Sequence, residues 1–376
     1  MSANTAAAEP TEAAPAASGA HRPPPRPGTA GAAPLPWLLP IRPLRAAVWE
    51  IAGIAVLVAF AIPGAAQPAR ITIAAVAAAL VLSTSARFAG KHAAGWALTW
   101  LGYRLRRHDD RHDSPDPLHL VAGPVRVRQH VDRAGNRFGV AEIDDGWSAI
   151  VRLTPGPGEP SPDTLVEVLR ERFRDPAIPL SSAQLLTWAV PREAGGQVFR
   201  VRWLTVRYRP EEAPIAALAR GGGELGALRS TACAALGLMG ALAEAGYVST
   251  VLEAGELAKE LRVALGVPEE SPREEASLPD GWSSWKWGES TQACFSPRSE
   301  RDLARILDFS ASKAAFTATS YTLRRTPSGK ERADVTIRVG ARPGASVPSP
   351  TGVSAVPLHG RHASAVRRTL PLALEH

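Results

Sequence analysis

The sequence predicts a mixed α/β protein: two N-terminal transmembrane helices followed by a cytosolic α/β domain. Three observations carry that reading. Two apolar runs stand near the start of the chain, and the excess positive charge is confined to their surroundings. Beyond about Val121, strand-like runs of β-branched and aromatic residues alternate with stretches of helical period.

The first apolar run is Ala46–Ala66, whose one ionisable residue is Glu50; the second is Ile71–Ala86, which has no charge. At ~1.5 Å per residue the second covers about 24 Å of a ~30 Å hydrocarbon layer, so its flanking arginines would have to snorkel. Pro63 and Pro68 bracket the connection, which is turn chemistry. A secretory signal peptide would show one run close to the start and a cleavage site, whereas here about forty residues precede the first run and a second follows. A helical hairpin buried in a soluble protein is the competing reading.

The 376-residue chain carries a net charge of +7, but residues 1–107 hold all of it, with ten Arg or Lys against three Glu. Residues 108–376 balance 33 basic against 33 acidic residues. A nucleic-acid-binding domain would place its excess on the folded part, where phosphates dock, so no nucleic-acid partner is expected. Basic residues flank the outer ends of the two runs, and only Arg70 lies between them. The positive-inside rule then sets both termini in the cytoplasm, giving a two-span protein of the cytoplasmic membrane.

Five segments follow: a disordered Ala/Pro-rich tail at 1–43, the membrane hairpin at 44–90, a juxtamembrane helix and linker at 91–118, the α/β domain at 119–345, and a Pro/Gly-rich tail at 346–376. In the juxtamembrane helix Trp96, Trp100 and Tyr103 recur on one face, and Arg104, Arg106 and Arg107 crowd its end. That is the pattern of lipid-interface anchors. His108–Asp113 mixes His and Asp, but consecutive residues cannot converge on one cation and Arg111 opposes it, so a solvated linker is expected.

Strands are expected at 125–129, 137–143, 148–153, 184–190, 198–208, 247–252, 319–324 and 334–339, the last two joined by a turn at Thr326–Lys330. Helices are expected at 163–172, 214–245, 256–265 and 300–310. The string Asp145-Gly146-Trp147-Ser148 returns as Asp280-Gly281-Trp282-Ser283, and a Ser-Pro pair follows each at the same offset. An internal β-hairpin–α–β duplication is one explanation, and convergence on common helix-start chemistry the other. The first requires the same strand order in 137–208 and 272–342.

Catalytic sets are missing from the sequence. Residues 131–358 contain no histidine, which argues against acid/base or metal chemistry through that side chain. Cys233 lies among alanines, and Cys294 has no histidine near it in sequence. Two cysteines suit a reducing compartment and cannot form a disulfide framework. Arg220–Gly226 is rich in glycine but lacks both the P-loop and the dinucleotide fingerprint, so a loop before a closely packed helix is expected. No catalytic residue, metal or cofactor is assigned. Trp282, Trp285 and Trp287, together with Arg220 and Glu224, are candidate interface residues; core packing is the alternative for the tryptophans.

The succession of parts resembles the EccE component of the actinobacterial type VII (ESX) secretion machinery. The resemblance rests on the Ala-rich hairpin 46–86, the Trp/Arg-rich segment 96–107, and Thr205–Pro214 leading into Arg220–Gly226. It continues through Tyr321–Arg342 and Gly360-Arg361-His362 to Val366–Leu372, about residues 44–374 in all. It implies a non-catalytic structural subunit supporting protein export, assembled with membrane lipids and the EccB, EccC (the ATPase) and EccD components. It also implies a cytosolic domain similar to glycosyltransferases lacking their active site. The alternatives are a membrane-anchored glycosyltransferase-like enzyme, disfavoured because no Asp-x-Asp triplet occurs, and a membrane-tethered protein-binding module.

Overall fold

The computed structural model describes residues 43–63, 66–85, 87–88, 91–107, 116–154, 160–191, 197–267, 281–326 and 328–374, with the side chains of 43–45, 87–88, 91–94 and 106–107 left aside. The expected N-terminal tail up to residue 42, the His108–Asp113 stretch and Asp280 lie outside the described residues. The chain divides into two compact units, 1–84 and 85–376.

In the first unit, helices α1 (Pro43–Ala61) and α2 (Gln67–Ser85) are tied at both ends. Trp49 Nε1 donates to Thr84 Oγ1 at 3.0 Å, and Arg70 Nη2 donates to the Ile62 carbonyl at 2.8 Å. Ala52, Ala59 and Ala77 are buried, while Ile51, Ile54, Leu57, Ile71 and Leu82 are exposed. Small residues inside and large apolar ones outside is the arrangement of helices packed in lipid, and the reverse of a pair folded in water. α2 is long and apolar enough to cross a membrane; the described apolar stretch of α1, Ala46–Ala61, is shorter.

The second unit opens with the antiparallel pair β1 (Arg87–Phe88) and β2 (Lys91–His92), then α3 (Ala93–Arg107). α4 (Pro117–Ala122) starts where the Asp116 carboxylate accepts the Leu118 N–H at 2.9 Å, with Pro117 at a position that needs no donor. There follow β3 (Arg126–Val131), β4 (Arg137–Ile143), β5 (Gly146–Leu153), α5 (Pro162–Arg174), β6 (Ser182–Val190) and β7 (Phe199–Tyr208). Next come α6 (Pro214–Leu218), α7 (Gly223–Glu244), β8 (Ser249–Val251), α8 (Ala254–Leu265), β9 (Trp285–Trp287) and β10 (Ser290–Pro297). The unit closes with α9 (Leu303–Leu307), β11 (Phe316–Arg325), β12 (Glu331–Gly340), β13 (Ala355–Pro357) and α10 (His362–Arg368).

Strands β3 to β13 form one 11-stranded sheet in the order β13-β10-β12-β11-β6-β7-β5-β4-β3, with β8 beside β5 and β9 beside β10. Every pairing in it is antiparallel. Side chains alternate between its faces. One face carries Val140, Val151, Leu185, Leu204, Val206, Tyr321 and Ile337 and is packed by α5, α7 and α9. The other carries Ile150, Leu186, Trp203, Cys294 and Ala318 and lies under α4, α8 and α10. α7 is apolar enough to pass for a membrane span, but half of it is buried on the sheet.

The strand order β4-β5-β7-β6 of the first half repeats as β9-β10-β12-β11 in the second, each half with a helix between its second and third strands. The halves meet antiparallel through β6 and β11, with Leu185 opposite Tyr321. The string that suggested the repeat is nevertheless out of register with it. The β4–β5 turn falls at Asp144-Asp145, and the β9–β10 turn falls at Gly288-Glu289, not at Gly281. Both turns start with a positive φ, 49° at Asp144 and 51° at Gly288. Ser161-Pro162 stands at the start of α5, whereas Ser296-Pro297 ends β10, ahead of α9.

Three expectations need correction. The helix expected over 214–245 is two helices, because Gly221, Gly222 and Gly223 take φ values of 113°, 69° and 53° and break it. α9 is shorter than the expected 300–310. The segment from 346 is no tail: β13 pairs with β10, and Ala365, Val366, Leu370, Leu372 and Leu374 are buried on the second face. Each such Leu or Val contributes about 1.5–3 kcal/mol relative to exposure. The backbone of that segment is held by a polar row on the sheet. Ser148, Ser182 and Thr205 hydroxyls donate to the carbonyls of Leu372, Ala373 and Pro371 at 2.8, 2.5 and 3.0 Å.

Candidate docking surfaces

The three tryptophans expected as an interface have different surroundings. β9 pairs with β10 in the register Trp285↔Gln292, which turns Trp285 into the core, Lys286 outward, and leaves Trp287 half-buried. Trp282, just before β9, stands against α3. Its ring lies 5.9 Å from Trp96, 5.6 Å from Tyr103 and 6.1 Å from His359, nearly parallel to the last at 6°. Gly360 donates its N–H to the Trp282 carbonyl at 2.8 Å, and a Cβ there would come within 2.6 Å of the ring. Arg361 Nη2 donates to Thr99 Oγ1 at 3.3 Å.

Trp96 and Tyr103, expected to face lipid, therefore face Trp282, because His359 and Arg361 arrive from a segment read as a tail. Trp100 is exposed, with the Arg104 guanidinium 4.9 Å from its ring. The side chains of Arg106 and Arg107 lie outside the described ones.

Arg220 and Glu224 flank the glycines between α6 and α7. Arg220 Nη1 donates to the Ala216 carbonyl at 3.0 Å, closing the end of α6. Glu224 accepts from Arg128 Nη1 at 3.1 Å, and Arg128 also pairs with Glu142 at 3.1 Å and lies 5.5 Å from the Trp147 ring. Beside them a cleft of about 370 Å³ is walled by Trp147, Pro214 and Leu218 and rimmed by Asp144, Asp145 and Glu224. α6 presents Ile215, 80% exposed, and Leu218, 69% exposed, with Leu225 on α7 also exposed. A second groove of about 380 Å³ runs between Pro176–Pro179 and α6. These exposed aliphatics beside acidic side chains are a candidate docking surface. Sequence reasoning missed Ile215 and Leu218, because an apolar residue in a helical pattern is expected to pack rather than to be exposed.

Inside the domain, Cys294 does meet a histidine. The Cys294 N–H donates to His362 Nδ1 at 3.1 Å, and its thiol points at the His362 carbonyl, 3.9 Å away. That bond leaves the proton on Nε2, and burial pulls the imidazole pKa down to about 4, so the ring is neutral at neutral pH. Arg338 is also buried. It donates to the Leu265 carbonyl at 2.9 Å, Gln292 Oε1 at 3.0 Å and the Ala264 carbonyl, so a cation sits on the negative end of α8. Desolvation lowers its pKa to about 10, still charged at neutral pH. Among the described residues, no three His, Cys, Asp or Glu side chains are grouped to hold a metal ion.

No curated protein matches the chain. Residues 198–296, about a quarter of the sequence and running from β7 through β10, hold the α6–α7 corner and all three tryptophans, a narrower span than the resemblance over 44–374. That stretch matches the model of the EccE family, described as "Putative type VII ESX secretion system translocon, EccE".

Proposed function

We propose that the chain is a non-catalytic structural subunit of an inner-membrane type VII secretion complex. In this reading the hairpin α1–α2 spans the cytoplasmic membrane with both termini inside, and the α/β unit is a cytosolic docking body for the EccB, EccD and EccC ATPase components. The match of 198–296 to the EccE family carries the reading, and the exposed Ile215 and Leu218 within that stretch supply a surface to dock on. The aliphatics left exposed on α1 and α2 support a lipid surround.

The test is gentle detergent extraction of the tagged full-length protein from cells that carry a type VII locus, followed by mass spectrometry. A large complex containing the secretion ATPase and the other membrane components is expected. A protein that leaves the membrane fraction without detergent, or that purifies alone, would overturn the proposal.

A further inference from the structure

α3 has two apolar faces, and only one is used. At 100° per residue, Trp96, Thr99 and Tyr103 share one side of the helix. That side meets Trp282, His359 and Arg361, with Thr99 and Tyr103 buried. Leu98, Leu101 and Leu105 line the opposite side and are 71%, 49% and 65% exposed.

We infer that Leu98, Leu101 and Leu105 lie in the headgroup region of the bilayer, so that α3 is a clamp between lipid and the α/β unit. This rests on the membrane reading of the hairpin. Two observations favour lipid as the occupant. α3 begins eight residues after the end of α2, the helix apolar enough to span, and a tether that short keeps it at the surface of the layer α2 occupies. The helix carries no acidic residue, and Trp100 and Arg104, in an aromatic–cation contact, lie between the docked face and the leucine row, as at the edge of an interfacial helix on an anionic membrane.

The experiment uses the full-length protein in vesicles of phosphatidylcholine and phosphatidylglycerol, with spin labels at Leu98→Cys, Leu101→Cys or Leu105→Cys. Cys233 is exposed and is first replaced (Cys233→Ser), while Cys294 is buried. Leu57→Cys reports on the hairpin, and Val263→Cys, on the exposed side of α8, on water. The three α3 labels should relax several-fold faster with oxygen than with a water-soluble nickel chelate, like Leu57→Cys and unlike Val263→Cys. Access of the chelate to the α3 labels while Leu57→Cys stays in lipid would overturn the clamp and leave the hairpin standing. Shielding from both reagents would mean that protein covers the face, and would overturn it too. Chelate access at Leu57→Cys would remove the membrane reading itself.

Discussion

Gln184 accepts the Ala373 N–H on Oε1 at 2.9 Å, while its Nε2 donates to the Arg368 carbonyl and to Ser320 Oγ, both at 2.7 Å. One fully buried side chain on β6 thus secures both ends of the segment that follows α10. Replacing it with the near-isosteric leucine (Gln184→Leu) leaves an N–H and a carbonyl unpaired in the core. At ~1–3 kcal/mol for each such group, a loss of about 2–6 kcal/mol is expected. Urea unfolding followed by tryptophan fluorescence reads it, and an unchanged midpoint would contradict the seating of this segment.

A second expectation concerns pH. The buried His362 imidazole resists protonation down to about 4, whereas an unfolded chain takes up that proton near 6.5. Between those values the unfolded state binds more protons, so stability falls as pH drops from about 6.5 to 4 and is flat on either side. The decline amounts to about 3 kcal/mol over the window. His362→Gln keeps an acceptor for the Cys294 N–H and should remove that part of the slope, whatever it does to the plateau. Parallel pH–stability curves for the two proteins would refute the assignment.

Glycine at 226 permits the contact between α6 and α7. A Cβ there would overlap the Ala217 carbonyl, whereas at Gly240, in the same helix, a Cβ would meet nothing. Gly240→Ala should therefore stabilise by about 0.5–1 kcal/mol through helix propensity. Gly226→Ala gains the same propensity and should still destabilise, by about 2 kcal/mol or more, because backbone must move. Thermal unfolding of the pair checks the opposite signs.

The α6 corner should matter to partners and not to folding. Ile215 and Leu218 are exposed, so Ile215→Asp with Leu218→Asp should shift stability by no more than about 0.5 kcal/mol each. The same double variant should lose co-purification of the secretion components while staying in the membrane fraction. Retention of the full complex would move the docking surface elsewhere.

Much of the architecture was legible because it follows local rules. Runs of β-branched and aromatic residues marked β5, β6 and β7, Ser161 before Pro162 marked the start of α5, and Gly266 marked the end of α8, where it takes a left-handed φ of 72°. What was not legible depends on distant pieces of chain. Ser148, Ser182, Gln184 and Thr205 look like solvent-facing strand positions, and are buried because residues 369–374 supply their partners. The same blindness hid His362 from Cys294 and His359 from Trp282. Among the candidate site residues, the pattern on α3 gave the helix correctly, but not which of its two apolar sides the domain would claim.

The polar row has a consequence in time. Each strand that residues 362–374 cover is made before them. Until residues 371–373 are seated, the hydroxyls of Ser148, Ser182 and Thr205 lack these protein partners and stay bound to water. That face of the body is therefore completed by a piece of chain far from it in sequence, and a deletion of residues 369–374 would leave its hydroxyls without these carbonyls.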